Sequence, residues 1–199
     1  TLIVLLAALT WVAVSIAINR HDSTVAQDKL QPFYTPPSPL PDGAPGTVIR
    51  TEPLNIGPSG SRGWRVLYLS EDNKGARTVS SGMVFAPVAP PPQGGYPVVA
   101  WAHGTVGMGD SCAPSRSKDP LGQMTWLNTM IENGWVVTAT DYTGLGTPGT
   151  LKYLIGVDAA HDVLNSVRAA RSITQASTRF ATWGHSQGGA SSLWAAKLA

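Results

Sequence analysis

The run Gly184-His185-Ser186-Gln187-Gly188 sets a serine between glycines two residues before it and two residues after it. A serine hydroxyl can act as a nucleophile when a sharp turn lifts it out of a sheet, and glycines at those two positions let a strand and a helix pass closely enough for that turn. The pentapeptide follows the apolar run 179–183 and opens the alanine-rich run 189–199, the strand–turn–helix setting such a turn requires. Acyl transfer through Ser186 is the chemistry this pattern would serve. The competing reading is an incidental serine in a glycine-rich turn. His185 adjoins the serine, and neighbours at a sharp turn point in different directions, so it is expected to pack beside the turn rather than act as its base.

An acyl-transfer site also needs donors for the negative charge that develops on the carbonyl oxygen. The Gln187 N–H, at the start of the expected helix, supplies one. His103-Gly104-Thr105 follows the apolar run 97–102, and the residue after a His-Gly pair in that place offers a second backbone N–H. Thr105 and Gln187 are therefore expected to form the oxyanion pair, with His103 either shaping the loop or merely structural. Asp141, in the run Asp141-Tyr142-Thr143-Gly144-Leu145-Gly146, precedes the serine, whereas the acid of such hydrolases follows it. It is expected to tie down its own loop by accepting backbone N–H bonds. No Asp, Glu or His follows Ser186. A base and an orienting acid are indispensable to a serine nucleophile, so both are expected from further C-terminal sequence, the 199 residues being only the N-terminal portion of the fold.

The elements that must position these residues follow from apolar patterning. Strands are expected over 64–70 and 79–86, joined as an antiparallel hairpin by Asp72-Asn73-Lys74-Gly75, and over 97–102, 135–140 and 179–183. Helices are expected over 121–132, 158–173 and 189–199. The alternation after residue 97 predicts an α/β fold, a mostly parallel sheet with helices on both faces, and reactive groups beyond the carboxyl ends of its strands.

Charged residues make up 13% of the chain and the net charge is +2, with no Lys/Arg run, so nucleic acid is not an expected partner. Leu2 to Ile18 is apolar but for Thr10 and Ser15 and ends at Asn19-Arg20-His21-Asp22. Residues 1–20 are expected to be a signal peptide or membrane anchor, placing the protein outside the cell or at its surface, with membrane contact through 2–18 if the segment is uncleaved. Residues 21–63 are expected to form a proline-rich linker or extension, since Pro32, Pro36, Pro37, Pro39, Pro41, Pro45, Pro53 and Pro58 oppose both helix and central strand. Residues 64–199 make up the expected catalytic domain. Cys112 is the single cysteine and forms no disulfide within the 199 residues.

Taken together, Phe33-Tyr34-x-Pro36-Pro37, Ala102-His103-Gly104-Thr105, Cys112-Ala113-Pro114-Ser115, Asp141-Tyr142-x-Gly144-Leu145-Gly146 and Gly184-His185-Ser186-Gln187-Gly188-Gly189 resemble the secretory lipase family, from about residue 32 to residue 199. The resemblance implies an α/β-hydrolase that cleaves carboxylic esters, acylglycerols included, with no metal and no cofactor. It also implies a cap after the nucleophile helix and a disulfide from Cys112 to a later cysteine. An acyltransferase or serine peptidase of the same fold, or a truncated, non-catalytic binding domain, are the other readings these residues leave open.

Overall fold

In the computed structural model, which describes residues 2–199 and the side chains of residue 4 and residues 8–199, the chain forms two compact units, 1–33 and 34–199. The first is helical: α1 spans Leu2–Tyr34, the last residue of which already belongs to the second unit. It runs through residues expected in the linker and through Pro32, whose missing N–H removes one bond near the helix end. Among the described residues no helix is long and apolar enough to cross a membrane. The expected segment 2–18 falls partly outside them, at the side chains of residues 2, 3 and 5–7.

The second unit is built on six strands: β1 (Val48–Leu54), β2 (Ser61–Glu71), β3 (Arg77–Pro87), β4 (Tyr96–Ala102), β5 (Val136–Thr140) and β6 (Ala176–Gly184). They form one sheet in the order β1-β2-β3-β5-β4-β6. The predicted hairpin is there, with β2 paired antiparallel to β3 from Ser61↔Pro87 to Glu71↔Arg77. The expectation of a mostly parallel sheet needs correction. Only β4 runs parallel to its neighbours β5 and β6, while β1–β2, β2–β3 and β3–β5 are antiparallel. The connections between β1, β2 and β3 are too short for the crossovers that parallel strands require. β1 lies inside the stretch read as an extension. Its Pro53 is accommodated because β1 is an edge strand, where a missing N–H breaks no central ladder.

Alternate residues of each buried strand point to opposite faces. Val98, Ala100 and Ala102 of β4 pack with Val163, Leu164 and Val167 of α3 (Gly156–Ile173) and Ala195 of α4 (Gln187–Leu198). Val99 and Trp101 pack with Met124 and with Leu127 and Ile131 of α2 (Leu127–Glu132). Helices thus cover both faces, as the α/β reading requires. The helix expected over 121–132 is regular only from Leu127. Before it, Met124 N–H bonds Leu121 O at 2.7 Å and Leu127 N–H bonds Met124 O at 2.9 Å, three-residue turns around Gly122. Met124, Leu127 and Ile131 are nonetheless buried on one side, with Leu121 and Met130 partly so.

Candidate active site

The parallel pairing of β4 with β6 ends at Ala102↔Gly184, so the loops that follow, 103–105 and 185–187, leave the sheet side by side at its carboxyl edge. At the second loop Ser186 has φ 56° and ψ −123°, a backbone conformation that a residue with a side chain adopts only under strain, on the order of 1–3 kcal/mol. The turn is closed by Gly188 N–H to His185 O (2.9 Å), and α4 begins with Ala190 N–H to Ser186 O (3.2 Å). A Cβ on Gly184 would lie 2.5 Å from the Ala102 carbonyl oxygen, and one on Gly188 would lie 2.8 Å from that of His103. Only glycines fit at the two positions, and the exposed serine stands between them.

His185 packs against Gly104, with its Nδ1 and Cε1 each 3.1 Å from where a Cβ on that glycine would sit. This agrees with its expected place beside the turn. Thr105 and Gln187, the two expected oxyanion donors, are brought together. Thr105 Oγ1 donates to Gln187 Oε1 at 3.3 Å and is itself 2.8 Å from the hydroxyl of Tyr153. Gln187 is the first residue of α4, where the backbone N–H has no intrahelical acceptor.

His103 is buried beneath this loop. Its Nδ1 lies 2.6 Å from Gly104 O and its Nε2 3.2 Å from Asp141 O, and its ring stacks at 4.6 Å on Tyr142. The Tyr142 hydroxyl reaches His103 O (3.2 Å) and Ser191 Oγ (3.1 Å), and Ser191 in turn bonds Gln187 O (3.0 Å). His103 is therefore engaged with backbone, linking the loops after β4 and β5. His161, on α3, contacts Glu71 O at 3.2 Å. Among the described residues, no histidine is hydrogen-bonded to Ser186.

Asp141 is fully buried. It accepts from Ser81 Oγ (2.6 Å), from Ser115 N–H (2.9 Å) and from Ser115 Oγ. Burial pushes its carboxyl upward, while the bonds from Ser115 and Ser81 oppose that shift. Ser115 Oγ also meets the Tyr34 hydroxyl at 2.6 Å, and its carbonyl accepts from Arg65 Nε at 3.1 Å. Tyr34, Ser115 and Asp141, from three separate sequence runs, thus meet in one buried knot. Cys112, half-buried, lies beside it and lines a cavity of about 620 Å³ with Met83, Trp101, His103 and Met124.

Three further features escaped the sequence reading. Trp101, Trp126 and Trp183 contact one another at 4.4–5.3 Å and line, with Thr105 and His185, an apolar recess of about 340 Å³. Asp162, buried on α3, accepts from Thr143 N–H and Oγ1 (both 2.8 Å), and burial pushes its carboxyl up to about 6. Lys152 bridges Asp158 (2.8 Å) and Asp72 (3.1 Å), fixing the base of the loop that carries Tyr153. None of these has a local signature, because each depends on at least one partner distant in the chain.

Residues 121–199 match the model of a family described as secretory lipase. A Mycobacterium tuberculosis protein named a probable inactive lipase is 27% identical over 184 residues, which cover 83% of this chain and 40% of that one. The secreted triacylglycerol lipase LIP2 of Malassezia furfur is 26% identical over 187 residues, covering 84% and 38%. Among solved structures, Candida antarctica lipase A in its closed state superposes with a TM-score of 0.68 at 20% identity, covering 84% of this chain and 41% of that one. The α/β-hydrolase fold is shared. The chain spans about 40% of the length of the curated relatives it matches.

Proposed function

We propose that this chain, similar to the secretory lipases over residues 121–199 and sharing the fold of a solved lipase, forms the nucleophile and oxyanion half of an exported serine carboxylic-ester hydrolase. The observation that carries this reading is Ser186 itself. It is exposed, held at φ 56° where α4 begins, and flanked by Gly184 and Gly188, at which no side chain fits. Strain of this kind is retained where a reactive group must be presented.

In the proposed reaction Ser186 Oγ attacks the ester carbonyl carbon while a base takes its proton. The new oxyanion is held by the N–H groups of Thr105 and Gln187. Collapse breaks the ester C–O bond, the base returns the proton to the departing alcohol, and water then releases the acid from the acyl-enzyme. His103 has both ring nitrogens on backbone carbonyls and Asp141 is spent on Ser81 and Ser115, so neither is assigned as base or acid. We place both in sequence C-terminal to Ala199, and with them a cysteine partner for Cys112. The Trp101–Trp126–Trp183 recess beside Thr105 is the proposed contact for an apolar part of the ester. Export is proposed from the apolar segment before Asn19 and from the secreted relative.

The test is labelling of the full natural chain with a fluorophosphonate, which reacts with an activated serine. Labelling that Ser186→Ala abolishes is the expected result, and labelling that survives the substitution would sink the assignment. The relative named a probable inactive lipase motivates a second reading, a domain of the same fold that binds without turnover. Absence of labelling in the wild-type full chain selects that reading.

A further inference from the structure

The loop between β5 and α3 crosses back to the oxyanion side of the site. Its base is fixed where Lys152 spans Asp72 and Asp158. The next residue, Tyr153, extends to Thr105, and the backbone then turns through a left-handed Leu154 at φ 60° before entering α3. Proton counting orients the contact. Thr105 has one hydroxyl proton and gives it to Gln187 Oε1, so the 2.8 Å bond to Tyr153 must be donated by the tyrosine. The result is a directed chain, Tyr153 O–H to Thr105 Oγ1 to Gln187 Oε1, that ties together the two residues whose backbone N–H groups are assigned to the oxyanion. Thr105 is exposed, follows Gly104, and lies in a loop rather than a strand, so its own segment does little to fix its orientation.

We propose that Tyr153 is a positioning residue for ester hydrolysis, its hydroxyl holding Thr105 beside Gln187 so that their two N–H groups converge on one oxygen. This rests on the ester-hydrolase reading above. A donor pair set before reaction stabilises the transition state more than the bound ester. Loss of the tether is therefore expected in kcat and hardly at all in KM.

The experiment uses the full natural chain with a chromogenic ester and compares wild type, Tyr153→Phe, Thr105→Val, Thr105→Ser and the Tyr153→Phe/Thr105→Val double variant. Tyr153→Phe is expected to lower kcat about ten-fold, the worth of one hydrogen bond, with KM within about two-fold. Thr105→Val is expected to do the same and the double variant no worse, since both cut one chain. Thr105→Ser, which keeps the hydroxyl, is expected to restore most of the rate. The proposal is overturned if Tyr153→Phe leaves kcat within about two-fold. Additive losses in the double variant overturn it too, as does a fall in thermal stability with no change in the kcat-to-KM split, because each describes an ordinary loop contact. If Ser186→Ala retains turnover, or the wild type has none, the ester-hydrolase reading fails first. If Ser186 is essential and Tyr153 is not, only the tether is wrong.

Discussion

Gly188 faces Ala102 so closely that a Cβ on the glycine would overlap the alanine's carbonyl oxygen and come within 2.5 Å of its carbonyl carbon. The first turn of α4 therefore rests directly on the backbone at the end of β4. This contact is what sets Ser186 and the His103–Thr105 loop side by side. The neighbouring Gly189 has no such constraint, since its added Cβ would come no nearer than 3.6 Å to Gly184 O.

Two adjacent Gly→Ala substitutions should therefore have opposite signs. Gly188→Ala must push α4 off β4, with an expected cost on the order of 1–3 kcal/mol from overpacking and a loss of serine labelling. Gly189→Ala adds a methyl at ordinary van der Waals contact within a helix and is expected to raise stability by about 0.5–1 kcal/mol. Denaturant midpoints of the two variants of the full chain check this. Equal destabilisation by both would show that the glycine-rich turn matters for flexibility and not for close approach.

The turn was legible in the sequence because its steric demand is local. Glycines at fixed distance from a serine, between an apolar strand and a helix, state the geometry within ten residues. The partners of Asp141 were less accessible. Its order relative to Ser186 suggests that it ties down its own loop through backbone N–H bonds. Its donors are instead Ser81 and Ser115, 60 and 26 residues away, two of the three bonds come from hydroxyls, and nothing near Asp141 names them. Tyr153 left no trace, being a loop residue whose one bond to Thr105 spans 48 positions. β1 was hidden for another reason. Pro53 argues against a central strand, and residue patterning alone does not say that the strand is an edge.

Buried Asp162 carries a pH signature. Its carboxyl rises from the ordinary 3.8 to about 6, chiefly because burial disfavours the charged form, with Asp158 adding to the shift and the Ser70 and Thr143 bonds opposing it. A carboxyl raised in the folded state contributes stability that is complete below its unfolded value and is lost as pH rises through the folded one. From about pH 4 to about pH 6 this group should withdraw about 2 kcal/mol. Asp72, which backbone N–H bonds hold down near 2, titrates below that window. The stability difference between wild type and Asp162→Asn should therefore shift in favour of the variant across pH 4–6. A difference that stays level in urea titrations at pH 4, 5 and 6 would mean that Asp162 keeps its charge in the fold, held by its two bonds from Thr143.

The knot of Tyr34, Ser115 and Asp141 should weigh on stability more than on chemistry. Ser115 contributes both a backbone N–H and its hydroxyl to the buried carboxyl, and the same hydroxyl meets Tyr34. Ser115→Ala removes the hydroxyl, and with it one bond to the carboxyl of Asp141 and one to the phenol of Tyr34, at an expected cost on the order of 1–3 kcal/mol. Tyr34→Phe leaves both bonds from Ser115 to Asp141 in place and should cost less, about 1 kcal/mol. In the double variant the shared Tyr34–Ser115 bond is lost only once, so the combined loss should be less than the sum of the two separate values. Because the knot meets the nucleophile loop indirectly, through the Asp141–Tyr142 segment and its contacts to His103 in the neighbouring loop, stability should fall further than reactivity. Serine labelling of the folded variants should stay within a few-fold of wild type, as expected for a framework contact. Complete loss of labelling in a folded Ser115→Ala variant would instead place Asp141 in the chemistry, as the acid this reading has denied it.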